Sequence, residues 1–161
     1  MATEPLAVYL EDHLAGSVAA LRLMEELADR HRGQPVEPKL RQLHAEVSEE
    51  QRGLRDLLAR IEAGPSPIKQ AAAWLSEKVG EGKLALASRH HPALATLQGL
   101  ESLLLGLEGK LALYRVLSRL APADQRIGGD FAALADRTVA QQAMVEAERL
   151  TAAAAAFERT G

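Results

Sequence analysis

Apolar residues recur at intervals of three and four along four long stretches of the chain, the spacing that places them on one face of an α-helix. Proline suits a first helical turn and a terminal glycine ends a helix, so these residues mark the boundaries. The predicted helices run from about Pro5 to His31, from about Pro38 to Gly64, from Pro92 to just before Pro122, and from an Asp130 N-cap to about Glu158. Each holds roughly 26–28 residues and is about 40 Å long. Four helices of equal length predict a bundle.

The lengths of the connections predict how these helices are arranged. About six residues join the first two helices, which we therefore expect to be antiparallel neighbours, and about nine join the last two. The second connection is much longer, from Gly64 to His91, and its pattern predicts a short helix of its own from Ser66 to Gly80. A crossover of that length can run along the whole bundle, so the second and third helices can be parallel.

Composition favours the same fold class. The chain has 161 residues, of which 47% are hydrophobic, and these are mainly 27 Leu and 30 Ala, whereas Val, Ile and Thr together number 16 and aromatic residues make up 3%. Helices draw on Ala and Leu, while strands draw on β-branched and aromatic side chains. We therefore predict an all-α fold with one domain spanning residues 1–161.

Charge and cysteine content exclude several classes of protein. The net charge is −3 and no run of basic residues is longer than two, so we expect no nucleic-acid partner. Without cysteine there is no disulfide, thiol chemistry or cysteine-bound metal. No uncharged apolar run approaches the roughly 20 residues of a membrane span, and the N-terminus lacks the pattern of a signal peptide. We expect a soluble, cytoplasmic protein with no membrane partner.

Three segments resemble bacterioferritin-type members of the ferritin-like superfamily. The first helix contains the segment Tyr9–Ser17, the second ends with Leu57–Gly64, and Leu105–Lys110 is similar to the start of the third-helix metal segment of those proteins. The resemblance implies a ferritin-like four-helix bundle whose long crossover, containing the short helix, joins the second and third helices. It also implies a di-metal site built from a Glu in the first and third helices and Glu-x-x-His in the second and fourth.

The ligands that this resemblance implies are replaced in the chain. The two Glu-x-x-His positions read Ser48-x-x-Gln51 and Thr138-x-x-Gln141, while Ser17 and Gly106 stand at the single glutamate positions. Neutral hydroxyls and amides cannot balance two divalent cations, and the chain has no Glu-x-x-His anywhere. We therefore expect no di-metal site, no catalytic residues and no cofactor.

A polar layer at the middle of the bundle is the candidate site instead. Its members are Ser17, Ser48, Gln51, Thr138, Gln141, His13 and Glu50. Either they form hydrogen bonds that fix the register of the helices, or they line a pocket for a small molecule. His13 is either a structural histidine or a base or ligand with Glu50 as its nearest carboxylate. Glutamates at the edges of the core faces have nearby cations as possible partners: Glu50, Glu101 and Glu108 with Lys110, Arg115, Arg137 and Arg149.

A second apolar row lies on the outer side of the third helix. It consists of Leu105, Gly109, Leu113, Val116 and Leu120. A helix that is apolar on two faces is covered on both. The candidates to cover it are the apolar residues of the long connection, Trp74, Leu75, Val79, Leu84 and Leu86, and a second copy of the chain, which would make a homodimer through this helix.

Two functional hypotheses follow. The first is a non-enzymatic ferritin-like bundle without a functional di-metal site, with a structural, partner-binding or small-ligand-binding role. The alternative is an iron- or manganese-dependent redox or storage protein with an unusual ligand set drawn from His13, His44, Glu46, Glu50, Glu101 or Glu108. Elemental analysis of the purified protein distinguishes the two.

Overall fold

The computed structural model describes residues 3–63 and 91–157, and 89% of these residues are helical with no strand among them. The long helices are α1 (Thr3–Arg30), α2 (Val36–Glu62), α3 (Pro92–Leu120) and α4 (Phe131–Phe157), with a short 3-10 helix at Ala121–Ala123. The four long helices pack together, which confirms the all-α class and the four predicted helices. No helix in the described ranges combines the length and the apolar character needed to cross a membrane.

The helix ends follow the local signals closely. α3 begins at Pro92, as predicted, and the side chain of Asp130 caps α4 by accepting a hydrogen bond from Ala133 N at 2.9 Å. α2 begins two residues before Pro38, which leaves that proline in the first turn, where its missing N–H matters least. The turn after α1 contains Gly33 with a φ of 79°, a conformation that favours glycine.

Some predictions fall on the part of the chain that the structure leaves undescribed. They are the stop at Gly64, the short helix from Ser66 to Gly80, and the apolar residues expected to cover α3. The predicted end of the fourth helix at Glu158 also lies outside the described residues, one position beyond Phe157.

The order of packing fixes the direction of each helix. α1 packs along α2 and α3 packs along α4, while α1 also contacts α3 and α2 contacts α4. One core cluster joins the start of α1, the end of α2, the end of α3 and the start of α4. The other joins the opposite four ends. α1 and α4 therefore point one way, and α2 and α3 point the other way.

Polar side chains separate these two apolar clusters. The first cluster reaches Leu14 on α1 and Leu113 on α3, and the second begins again at Met24 and Leu107 on the same helices. The buried polar side chains between the two clusters belong to Glu50, Gln51, Thr138 and Gln141. Burial of polar groups is favourable only when their hydrogen bonds are satisfied, so this level is where the bundle is chemically distinct.

Candidate functional site

An ion pair at the middle of the bundle ties three helices together. Lys110 Nζ of α3 donates to Glu50 Oε2 of α2 and to Gln141 Oε1 of α4, each at 2.5 Å. The side chain of Glu50 is 2% exposed and that of Lys110 is 14% exposed. Charge-assisted hydrogen bonds that are so well shielded from water are stronger than those at the surface. The pair therefore fixes α2, α3 and α4 at one level.

Further hydrogen bonds complete the surroundings of Glu50. Tyr114 Oη donates to Glu50 Oε2 at 3.3 Å, and Gln141 Nε2 donates to Glu50 Oε1 at 3.3 Å and to Glu46 Oε2 at 2.9 Å. The guanidinium of Arg137 lies 3.9 Å from Glu50 Oε1. Among the described residues, every buried side-chain nitrogen and oxygen has a hydrogen-bond partner. The layer is thus a fully satisfied network rather than a set of isolated polar groups.

This environment shifts three pKa values. Burial lowers the pKa of Lys110, although Glu50 opposes the shift. Burial also raises the pKa of the Tyr114 hydroxyl far above its usual range, with the charge of Glu50 adding to the effect. Hydrogen bonds from Gln141 and Gln42 lower the pKa of Glu46. Tyr114 therefore stays protonated at neutral pH, while Lys110 loses its proton more easily than an ordinary lysine does.

Two of the predicted layer residues form a separate pair. Gln51 Nε2 donates to Ser17 Oγ at 2.8 Å, and Ser17 Oγ donates in turn to Leu14 O at 2.7 Å. Thr138 is fully buried, but its hydroxyl bonds to Leu134 O within α4. Ser48 is half-buried on α2 and lies outside the lining of the neighbouring cavity. Only part of the predicted layer therefore comes together.

A cavity of about 210 Å³ lies between α1, α2 and α3 at this level. Its walls are mainly apolar and include Met24, Val47, Leu54, Leu103, Leu107 and Leu113. Its polar lining consists of Asp12, His13, Ser17, Glu50, Gln51, Lys110 and Tyr114. A concave apolar surface with a few fixed polar groups is the usual form of a small-molecule site.

Glycines form the mouth of this cavity. The cavity is lined by Gly16 of α1 and by Gly106 and Gly109 of α3. Gly16 and Gly106 are exposed, as is the neighbouring lining residue Asp12, and Gly109 is half-buried. A Cβ atom at any of the three glycines would meet nothing within 4 Å. Each position therefore has room for a side chain that it lacks, and the missing side chains leave the cavity open.

His13 also lines the cavity. Its ring packs edge-on against Tyr9, with the ring centres 4.7 Å apart. Burial lowers its pKa below the ordinary 6.5, so the ring is neutral at pH 7. The carboxylate of Glu50 bonds to Lys110, Tyr114 and Gln141 rather than to His13. The predicted pairing of His13 with Glu50 is therefore not formed, because the carboxylate of Glu50 forms its ion pair with Lys110 instead.

The residues of the alternative metal set are dispersed. Glu101 lies 3.5 Å from Arg149, Glu108 accepts a hydrogen bond from Gln142, and His44 lines a different groove beside Met24. Only Glu46 and Glu50 share a partner, namely Gln141. Within residues 3–63 and 91–157, no three His, Asp or Glu side chains form a cluster that could hold a metal ion.

The second apolar row of α3 does not form one surface. Leu105 is 76% exposed and Val116 is 39% exposed, but Leu113 is buried in the first core cluster and Leu120 packs partly against it. The spacing explains the difference, since at 3.6 residues per turn Leu113 is rotated about 80° from Leu105. Leu113 therefore cannot serve an interface, and the homodimer through this helix remains a prediction.

Two site residues had a weaker signal in the sequence. Lys110 was expected only as a possible partner for glutamates, and Tyr114 was not among the predicted site residues. Both line the cavity and contact Glu50. The available signal was their spacing, because Leu107, Lys110 and Tyr114 follow one another at intervals of three and four and so share a face of α3.

Comparison with known proteins adds no assignment to this geometry. No family model, no curated protein sequence and no solved structure matches the chain.

Proposed function

We propose that this chain is a non-enzymatic, ferritin-like bundle without a functional di-metal site that binds a small, uncharged and largely apolar molecule between α1, α2 and α3. The observation that carries the proposal is the cavity of about 210 Å³, with apolar walls, a hydrogen-bonded polar lining and a mouth of glycines. A polar layer that only fixes the register of the helices does not explain why an open cavity lies beside it.

The directions of the helices support the ferritin-like topology. α2 and α3 are parallel, and each is antiparallel to the helix that neighbours it on either side. Bundles with one long crossover between the second and third helices have these directions, whereas simple up-and-down bundles do not.

The buried ammonium supports a site that works without metal. Lys110 lies at mid-bundle, between Glu50 of α2 and Gln141 of α4. The family that the sequence resembles places metal ions at this level. Here the protein's own cation balances the carboxylate of Glu50, so this carboxylate has no uncompensated charge to offer a divalent ion. Iron or manganese at a fixed ratio in the purified protein would favour the alternative hypothesis instead.

The volume of the cavity limits the size of the ligand. An apolar cavity of about 150 Å³ holds benzene. A volume of about 210 Å³ therefore suits a single substituted ring or a molecule the size of indole. Most drug-sized ligands occupy pockets of about 300–1,000 Å³ and are too large.

The charges of the lining favour an uncharged ligand. Glu50 and Lys110 neutralise each other, and His13 is neutral at pH 7 because burial lowers its pKa. The remaining charged residue of the lining, Asp12, is exposed at the mouth. An ionic ligand would have to break the buried pair and leave one charge without a partner, which is strongly unfavourable. A hydroxyl or indole N–H can instead bond to the Ser17–Gln51 pair.

The glycines themselves indicate that an open mouth has a function. Within a helix, each glycine is less stable than alanine by about 1 kcal/mol. Gly16, Gly106 and Gly109 together therefore destabilise the fold by roughly 2–3 kcal/mol, although each site has room for a methyl group. The function that we propose for these three glycines is to keep the cavity accessible, in spite of this loss of stability.

Calorimetric titration with benzyl alcohol and indole tests the proposal. We expect one molecule bound per chain, and a loss of affinity of about tenfold or more in Gly106→Leu, because the new side chain fills the mouth. Gly53→Leu is the matched control, since Gly53 is an exposed helical glycine of α2 with open space around it and no part in the cavity. The proposal is wrong if neither compound binds the wild type, or if the two variants bind equally well.

A further inference from the structure

Lys110 is a nucleophilic group that simple non-covalent binding leaves unused. Lysine amines form imines with carbonyl compounds when the amine can lose its proton within an enclosed site. The chemistry needs an acceptor for the proton of the ammonium, a donor for the carbonyl oxygen and space for the carbonyl compound. All three lie next to Lys110.

The geometry provides these groups from two helices. Glu50 Oε2 is 2.5 Å from Lys110 Nζ, and Tyr114 Oη is 3.3 Å from the same carboxylate oxygen. Lys110 and Tyr114 are one turn apart on α3, and all three side chains line the cavity. The acid, the base and the nucleophile therefore face one space.

We propose that Lys110 captures a small aldehyde or ketone in this cavity as a reversible imine, with Glu50 carrying the proton and Tyr114 hydrogen-bonding the carbonyl oxygen. The inference rests on the proposed function, because the captured molecule is the small, uncharged ligand of the same cavity.

The reaction balances without any further reagent. The ammonium of Lys110 first gives a proton to Glu50, and the neutral amine then attacks the carbonyl carbon. A C–N bond forms, the electron pair of the C=O bond moves to oxygen, and a second proton moves from nitrogen to that oxygen. Glu50 returns its proton to the new hydroxyl group, which leaves as water while the nitrogen lone pair forms the C=N bond.

The charges before and after capture are the same. The product is a protonated imine, so the positive charge beside Glu50 persists and the buried carboxylate keeps its partner. The single O–H of Tyr114 donates to Glu50 before capture and turns to the carbonyl oxygen when the compound enters, and it keeps its proton because burial raises its pKa. Burial also lowers the pKa of Lys110, which increases the fraction of neutral amine.

Lys39 provides the comparison within the chain. It is half-exposed and forms its ion pair with Glu148 at the surface of the bundle. It has the same amine chemistry and a carboxylate partner, but it does not line the cavity. Any preference for Lys110 therefore measures the contribution of the cavity.

Reductive trapping tests the proposal. The protein is incubated with benzaldehyde and sodium cyanoborohydride, and peptide mapping by mass spectrometry measures the benzyl group on each lysine over time. We expect Lys110 to be labelled at least about tenfold faster than Lys39, because the cavity holds the aldehyde beside the amine of Lys110. Gly106→Leu should slow labelling of Lys110 and leave that of Lys39 unchanged.

Three variants separate the imine from binding. In Lys110→Arg the positive charge beside Glu50 remains but the amine is gone, so we expect the benzyl label per chain to fall by the share that position 110 takes up in the wild type. Tyr114→Phe keeps the ring and the amine but removes the hydroxyl, so we expect labelling of Lys110 to slow several-fold while labelling of Lys39 is unchanged. Lys39→Arg should leave labelling of Lys110 unchanged.

The outcomes distinguish the two proposals. If benzyl alcohol binds the wild type but Lys110 is labelled no faster than Lys39, the imine is wrong and the ligand site stands. If benzyl alcohol and indole do not bind and Lys110 is not labelled preferentially, both proposals are wrong. Labelling of Lys110 that Gly106→Leu does not affect would also overturn capture through the cavity.

Discussion

Replacement of Lys110 by methionine tests the buried ion pair directly. The change strands the carboxylate of Glu50, whose side chain is 2% exposed and cannot turn to water. Removal of one partner from a buried pair destabilises a protein by about 3–5 kcal/mol. Arg137, 3.9 Å away, recovers part of the interaction, so we expect a loss of about 3 kcal/mol in the free energy of unfolding.

The opposite replacement should have a smaller effect. In Glu50→Leu the ammonium of Lys110 keeps its hydrogen bond to Gln141, and its 14% exposed side chain can shift towards the mouth of the cavity. We expect a loss of about 1–2 kcal/mol. The double variant Lys110→Met/Glu50→Leu should lie within about 1 kcal/mol of the wild type, because no charge is left unpaired in the core.

Urea unfolding followed by far-ultraviolet circular dichroism measures all three variants. Lys39→Met is the matched control, because the side chain of Lys39 is 49% exposed while that of Glu148 is 14% exposed, so neither is as fully buried as Glu50 and we expect a loss of about 1 kcal/mol or less. The reasoning fails if Lys110→Met costs no more than Lys39→Met. It also fails if the double variant loses as much stability as the two single variants added together, since the two residues would then act independently.

Two further predictions concern single residues. Gly99→Ala should destabilise the fold by about 1–3 kcal/mol, because the new Cβ would lie 3.0 Å from Leu27 Cδ2 in the core. Gly53→Ala should instead stabilise the fold by about 0.5–1 kcal/mol, because its Cβ would lie in open space. Urea unfolding that gives the same sign for both variants would contradict this prediction. Burial lowers the pKa of His13, so the unfolded chain binds the proton at this residue more tightly than the folded chain does. The contribution of His13 to the free energy of unfolding should therefore be fully present above pH 6.5 and be lost as the pH falls below it. The decrease in urea midpoint between about pH 7.5 and about pH 5 should be smaller in His13→Gln, and an unchanged decrease would show that another group is responsible.

The helices could be predicted because their signals are local. The cap at Asp130 depends on a hydrogen bond to a backbone group three residues away, and the start at Pro92 depends on the fixed φ angle of proline itself. Such contacts form within one turn, so a short stretch of sequence contains both partners. The short helix expected in the long connection lies outside the described residues and stays a prediction.

The candidate site could be predicted only in part. The members of the polar layer were expected either to bond to one another or to line a pocket, and the structure forms a hydrogen bond between Gln51 and Ser17. Thr138 was expected in the same layer but bonds within its own helix, since a buried threonine can satisfy its hydroxyl with a carbonyl one turn away. Whether a hydroxyl bonds to a side chain on another helix or to a carbonyl in its own helix depends on the distance between the helices. The spacing of apolar residues in the sequence does not give that distance.

By itself, the sequence determined an all-α chain of four long helices, the starts of the third and fourth helices, and polar residues in the middle of the core faces of the first, second and fourth helices. These properties follow from spacing, composition and capping, all of which act over a few residues. Only the tertiary structure decided that Lys110 pairs with Glu50 and Gln141, which are 60 and 31 residues away, and that an open cavity lies beside the pair. The physical reason is that a buried charge selects its partners by distance in three dimensions, and a cavity is the space that several helices leave between them.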